Sequence, residues 1–427
     1  MQLYFLVTIL TFFAPQQPQA TSEVHQQTCP SCDYTVVSNV IDGQKLNLQP
    51  GAIICLSAKV YDRLTFKNII GTEEKPIIIR NCEGVAKIES NNAFGVKFQN
   101  SEHLIFSGDG TSDDEYGICI TTEKGFYLTM EQFTTDFEIS RVEIKGSSPM
   151  GQGDRAGFAG IAAKTSPYQD CDRFKDPERN DWIMKNISIH NNYIHDTGGE
   201  GLYIGHGFYK GRAEKKCYDG LKRFSHSIKG VRIYDNRIEN VGFDGIQIKN
   251  ADEDVKVFNN TIYNYGTRNE NAHNEGLFIG EGTTGEFYGN IVDTGTGNGC
   301  QIQGLGNLDI HDNLFVNSQG NGIYASHGQF VVRLANGYFK IHNNTVINPG
   351  EIGLVFYNDA GGEKTFSNNL IFAATPTKKG CKATLTGNIL STKIPTTPGV
   401  QLKQAQSGIC SDSIYSRMES HLSKEFK

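Results

Sequence analysis

One phrase recurs along this chain: an Asn-containing doublet, one residue, a bulky apolar residue, a short Gly-containing stretch, then Gly and an alternating strand. It stands as NNYIHDTGGEGLYI from Asn191, DNRIENVGFDGIQI from Asp235, NNTIYNYGTRNENAHNEGLFI from Asn259, GNIVDTGTGNGCQI from Gly289 and DNLFVNSQGNGIYA from Asp312, and more loosely as NNTVINPGEIGLVF from Asn343. Repetition of this kind specifies a solenoid, because a single unit can bury its apolar face only against the next one. The Asn two positions before the apolar residue measures the pitch. Asn192, Asn236, Asn260, Asn290, Asn313, Asn344, Asn369 and Asn388 are separated by 44, 24, 30, 23, 31, 25 and 19 residues. The shorter steps define a unit of a little over twenty residues, and the longer ones carry insertions.

Within a unit the short apolar runs alternate with period two, as in Val231-Arg232-Ile233-Tyr234 and Gly245-Ile246-Gln247-Ile248. That is strand periodicity, and helical periodicity is nowhere sustained. A strand-only repeat rich in Gly and Asn fits a parallel β-helix better than a leucine-rich repeat, which needs a denser Leu pattern, or a propeller blade, which needs four strands over about 40 residues. The expected fold is all-β: a right-handed, single-stranded parallel β-helix. The Asn column then has a structural role. Asn tolerates left-handed backbone angles at sharp turns, and side chains stacked about 4.8 Å apart can bond one another as a ladder.

The ends and the composition set the surroundings. Residues 1–20 hold an apolar run from Leu3 to Ala14 and end in Ala20, which predicts a signal peptide and an exported protein, secreted, periplasmic or on the cell surface, although no Lys or Arg precedes the run. The run is too short to span a bilayer, and no later segment approaches that length. The net charge of -7, with no basic stripe, argues against nucleic acid as a partner. A monomer is expected. Ten Cys fit an oxidising compartment. Cys29 and Cys32 form a CxxC with no second ligand pair for zinc, Cys300 occupies an inward strand position, Cys171 and Cys217 are expected to bridge neighbouring loops, and Cys381 with Cys410 to tie down the tail. The expected domains are a lead-in or cap over 21–50, the β-helix over 51–390 and a C-terminal cap or tail over 391–427.

The stretch QPGAIICLSAKVYDRLTFKNIIGTEEKPIIIRN, the phrase GFAGIAAK at Gly157 and HDTGGEGLYIGHG at His195 resemble secreted bacterial right-handed β-helix repeat proteins of the pectin lyase-like superfamily. The resemblance covers nearly the whole chain after the signal segment. It implies a parallel β-helix and leaves the reaction open, since that group includes pectate lyases, polygalacturonases, alginate lyases and epimerases. The chain has no Asn-Thr-Asp triplet, no Asp-Asp pair beside GFDG at Gly242 or GHG at Gly205, and no Asp-Pro-His motif.

Aligning the third strand of each unit on its opening Gly (Gly160, Gly201, Gly245, Gly276, Gly299, Gly322) places chemistry on one face. The first and third residues after Gly point inward, the second and fourth outward. The outward set is Lys164; Tyr203; Gln247 and Lys249; Phe278; Gln301 and Gln303; Tyr324. Immediately before the Gly stand Ala159, Glu200, Asp244, Glu275, Asn298 and Asn321, and His206 and Glu281 follow the strand. Glu200, Asp244 and Glu275 therefore form a carboxylate column with neighbours about 5 Å apart and outer members about 10 Å apart, figures that bracket the carboxyl separations of glycosidases. The same column would serve a cation such as Ca2+, the one cofactor candidate, with none required. The plain structural alternative is an acid standing in for the Asn of later coils and bonding turn backbone. Lys249 or His206 would serve a lyase as base; Glu200 with Asp244 would serve a hydrolase. Lys164, Tyr203, Gln247, Phe278 and Tyr324 are the expected contacts to a polysaccharide, in particular one containing uronate. Insertions after Lys164 and after His206, the second rich in Lys and Arg, would wall this face. The other reading is a noncatalytic glycan-binding or surface β-helix.

Overall fold

The structure, a computed structural model, describes residues 32–110, 114–122, 124–146, 158–166, 179–213, 222–325, 331–357 and 360–393, with two further strands at Leu402–Gln404 and Ser416–Met418. The segment expected to be a signal peptide, Cys29, Cys171, Cys217 and Cys410 lie outside the described residues, as does nearly all of the expected tail.

Among the described residues the chain winds through three parallel sheets, of 13, 12 and 12 strands, which it visits in turn. One coil runs through Ile183–His190 in the first sheet, Tyr193–His195 in the second and Leu202–Ile204 in the third. The next repeats it at Ser227–Tyr234, Arg237–Glu239 and Ile246–Ile248, in register residue by residue on the second and third sheets. This is the parallel β-helix that the repeat predicts. The parallel pairing begins at Tyr34–Thr35 and Val40–Asp42, inside the segment expected to be only a lead-in, and its last strand on the second sheet is Ile389–Ser391.

Alternation fills the interior with stacked columns. Ile194, Ile238, Ile262, Val292, Phe315 and Val346 line it from the second sheet, and Ile204, Ile248, Ile279, Ile302 and Ala325 from the third, each exposed by 1% or less. Burying each large side chain of these columns stabilises the coil by about 1.5–3 kcal/mol. Cys300 belongs to this core, at 0% exposure. The Gly that opens each third strand is required by space: a Cβ on Gly245 would come within 2.4 Å of Ile262 Cγ2 and 2.6 Å of the Gly276 carbonyl oxygen. At the N-terminal end Cys32 is bonded to Cys55, which settles one half of the CxxC as structural.

Two residues share the turn between the first and second sheets. The first member of each doublet takes the left-handed conformation, as Asn191, Asp235, Asn259, Asp312, Asn343 and Asn368 do, with φ between 53° and 55°. The second member builds the ladder: Asn192, Asn236, Asn260, Asn290, Asn313, Asn344 and Asn369 each donate from Nδ2 to Oδ1 of the next, at 2.8–3.0 Å. A single Asn cannot do both here, because the ladder amide points inward and the left-handed residue outward. Outside the first sheet, His190, Tyr234, Phe258, Tyr288, His311 and His342 form a continuous ring stack with centroids 4.6–5.1 Å apart. Their faces cover one another, so this ladder braces the coils and offers only ring edges outward.

Candidate active site on the outer face of the third sheet

The third sheet carries the residues aligned from the sequence in the expected register: Ala162, Tyr203, Gln247, Phe278, Gln301 and Tyr324 are successive neighbours. The column before the Gly is equally regular. Gly201 N donates to Asp244 O at 3.0 Å, Gly245 N to Glu275 O at 2.9 Å and Gly276 N to Asn298 O at 2.9 Å.

The acids in that column do two things at once. Asp244 Oδ1 accepts Glu275 N at 2.8 Å and Glu275 Oε2 accepts Asn298 N at 2.7 Å. Asn298 and Asn321 continue the pattern, accepting Asn321 N at 2.8 Å and Ile352 N at 3.2 Å. To that extent the acids replace Asn, as the structural alternative holds. They nevertheless lie in an environment that resists their charge. Glu200, Asp244 and Glu275 are 5%, 0% and 4% exposed. Burial raises all three carboxyls: Glu275 to about 7, Glu200 against the pull of Lys164, His273 and Lys249, and Asp244 well above its ordinary value, with the Glu200 charge adding to burial. Asp244 Oδ2 is buried with no hydrogen-bond partner, and the buried Gln247 amide lies beside the Tyr203 hydroxyl.

The bases converge on the same coils. Lys164 Nζ sits 4.3 Å from the Tyr203 ring centroid and 4.6 Å from that of Phe126, and Lys249 Nζ lies 4.8 Å from the Phe278 centroid. Burial pushes both ammonium groups down, further for Lys164 through the nearby Lys249 charge. His206 Nδ1 lies 3.5 Å from the Tyr203 hydroxyl, and burial together with the Lys164 and Lys249 charges pushes the imidazole down to about 4. Burial raises the Tyr203 phenol, which stays protonated. Lys164, Tyr203, His206, Lys249 and Tyr324 are half-buried and reach the surface, whereas Gln247 and Phe278 do not. The expected outward position of those last two is correct, but exposure does not follow from it: neighbouring side chains cover them, Lys249 among them, with its Nζ over the Phe278 ring.

The start of the insertion after His206 forms a strap. Asn250 Nδ2 donates to the His206 carbonyl and Asn250 Oδ1 accepts from Arg179 at 3.0 Å. Arg179 also donates to the Tyr209 carbonyl and stacks 3.8 Å from the Tyr209 ring centroid, while Tyr209 N donates to Glu281 Oε2 at 3.0 Å. Part of the Lys- and Arg-rich insertion, residues 214–221, lies outside the described residues.

Sequence alignment missed His273. It stands in the extra residues of the unit from Asn259, and the excess length of that unit is the signal that could have pointed to it. Its Nδ1, buried and without a hydrogen bond, lies 4.0 Å from Glu200 Oε1. Glu200, Asp244 and His273 each bring one donor atom into a group whose members lie within 4.8 Å of one another. Glu275, expected as the third acid of a cation site, stands apart from this group and bonds Asn298 instead. A second buried titratable cluster faces out from the second sheet, where His195 bridges Glu143 at 3.1 Å and Asp196 at 2.7 Å. Burial opposes its charge, but those two bonds win and raise its pKa.

Residues 185–394 match the family model described as right handed beta helix region. The fold is a right-handed parallel β-helix. No curated protein matches its sequence. Among solved structures it is similar to an alginate lyase from Paenibacillus sp., at 18% identity and TM-score 0.38, over 83% of this chain and 98% of that one. It is similar also to a GH136 lacto-N-biosidase from Eubacterium ramulus, at 14% identity and TM-score 0.38, over 84% and 68%. A GH87 α-1,3-glucanase catalytic unit from Streptomyces thermodiastaticus matches at 13% identity and TM-score 0.38, over 86% and 71%. These likenesses extend to the coil architecture alone. Among the described residues no helix is long and apolar enough to cross a membrane.

Proposed function

We propose that this β-helix is an exported polysaccharide-active enzyme that holds a uronate-containing glycan across the third sheet from Lys164 to Tyr324 and cleaves it by elimination. One observation carries the reading: Lys164 and a neutral His206 meet at Tyr203, and Lys249, its pKa likewise depressed, lies on the next coil over Phe278, where the face opens to solvent. Elimination needs a base for the proton beside the uronate carboxylate, positive charge to stabilise the carboxylate as that proton leaves, and a proton for the departing oxygen. Lys249 is assigned as base, since desolvation raises its neutral fraction. Lys164 faces the carboxylate. Tyr203, backed by His206, protonates the leaving oxygen. The C5–H and C4–O bonds break, the C4=C5 bond forms, and no water is consumed.

Hydrolysis by Glu200 and Asp244 is the second reading, favoured by the closeness of two carboxyls with raised pKa. Against it, Asp244 is fully buried and one of its oxygens already holds the Glu275 amide. Incubating the protein with pectate, alginate and glycosaminoglycans, with and without calcium, separates the readings. Elimination yields ultraviolet-absorbing unsaturated uronate ends, hydrolysis yields reducing ends without that absorbance, and a noncatalytic binder yields neither while retaining the glycan.

A further inference from the structure

The insertion that lengthens the unit from Asn259 carries His273 back over two earlier coils, to the acids of the third sheet. There it meets Glu200 and Asp244, with the three donor atoms within 4.8 Å of one another. Acid clusters on protein surfaces are common, but both acids here are buried, and Asp244, whose Oδ1 holds the Glu275 amide, keeps a second oxygen with no hydrogen bond. Asp244 Oδ2 and His273 Nδ1 make no hydrogen bond. Leaving a buried polar group unpaired costs about 1–3 kcal/mol each, so a shared partner for these two side chains is worth seeking.

The later coils show where Gln247 points. Gln301 is two coils further on at the same position of the strand, and its Oε1 accepts a hydrogen bond at 3.1 Å from Nδ2 of Asn298, the residue equivalent to Asp244. In the Asp244 coil the matching pair is a carboxamide and a carboxylate whose Oδ2 makes no hydrogen bond.

We propose that Glu200, Asp244 and His273, supported by the Gln247 carbonyl, bind one divalent cation of the Zn2+ type. The donor set selects the ion. Two carboxylates with one imidazole suit a borderline transition cation, whereas Ca2+ takes six to eight oxygens. Glu275, which would have supplied a further carboxylate for Ca2+, does not join the group of donor atoms that Glu200, Asp244 and His273 bring together. The Lys164 and Lys249 charges weaken the site without removing it, since burial already depresses both ammonium groups. The inference stands independently of the polysaccharide reading, because its test measures binding and no turnover.

The purified protein, stripped with chelator, is titrated with Zn2+, Mn2+ and Ca2+ by calorimetry. One equivalent of Zn2+ should bind with a dissociation constant tighter than roughly 1 mM, and Ca2+ should bind more weakly. His273→Gln, which changes a half-exposed turn residue and leaves the core intact, should weaken Zn2+ by at least about 100-fold, the upper end of what losing an outer-shell partner costs. His311→Gln, on the first sheet, should leave it unchanged. No saturable Zn2+ binding, equal binding by the His273 variant, or preference for Ca2+ would each overturn the proposal.

Discussion

Asp244 Oδ1 accepts the backbone amide of Glu275 at 2.8 Å, the same bond that Asn298 Oδ1 makes to Asn321 N at 2.8 Å further along the solenoid. An acid has taken over the structural duty of an Asn and kept a second oxygen for other use. The coils with acids in this column are thus the ones where the scaffold has accepted a cost that its own repeat shows to be avoidable.

Glu275 makes that cost measurable. Burial raises its carboxyl from 4.5 to about 7, so the folded state holds the proton more tightly than the unfolded chain. The contribution is full below about pH 4.5 and is lost as pH rises through about 7, for a total of roughly 3 kcal/mol. Glu275→Gln keeps an acceptor for Asn298 N and removes the charge. Denaturant unfolding should find the variant matched with wild type near pH 4.5 and more stable above pH 7, by up to that amount.

The ladder predicts a gradient along the solenoid. Asn290 accepts from Asn260 N and Nδ2 and donates to Asn313 Oδ1 and Val257 O, at 2.9–3.1 Å. Asn290→Ala orphans buried groups on both sides and should cost about 3 kcal/mol. Asn388→Ala, at the half-buried end of the column, should cost no more than about 1 kcal/mol. Equal losses on thermal unfolding would show that the bonds do not act through burial.

The strap over the candidate site hangs on Asn250. Asn250→Ala removes the donor to the His206 carbonyl and the acceptor for Arg179. Limited proteolysis should then cut between residues 205 and 213 faster, with global unfolding little changed. The His206 imidazole, depressed to about 4 chiefly by burial, should titrate closer to its ordinary 6.5 by NMR as burial relaxes. A tighter or unchanged value would mean that the two lysine charges, which the variant keeps, set the shift.

The fold was legible because its causes are local and repeated. Each Gly before a third strand is fixed by contact with the neighbouring coil, and each ladder Asn by the coil on either side, so position along the repeat carries the register of Tyr203, Gln247 and Phe278. Burial was not legible. Whether an outward residue meets solvent depends on what lies across it, and Gln247 and Phe278 are covered by neighbouring side chains such as Lys249. His273 escaped because it belongs to an insertion, where the unit's periodicity assigns no position. The doublet also hid its division of labour, since Asn191 and Asn192 look alike in sequence and differ only in backbone conformation and direction.

The most direct test of the account is turnover by the Lys249 variants on uronate polysaccharides. Wild type should release unsaturated uronate ends from at least one of pectate, alginate or a glycosaminoglycan. Lys249→Met should lower that rate by at least about 100-fold, and Lys249→Arg should not restore it, because a guanidinium keeps its proton. Undiminished elimination by Lys249→Met, or reducing ends without unsaturated product from the wild type, would contradict the assignment of this face as an elimination site.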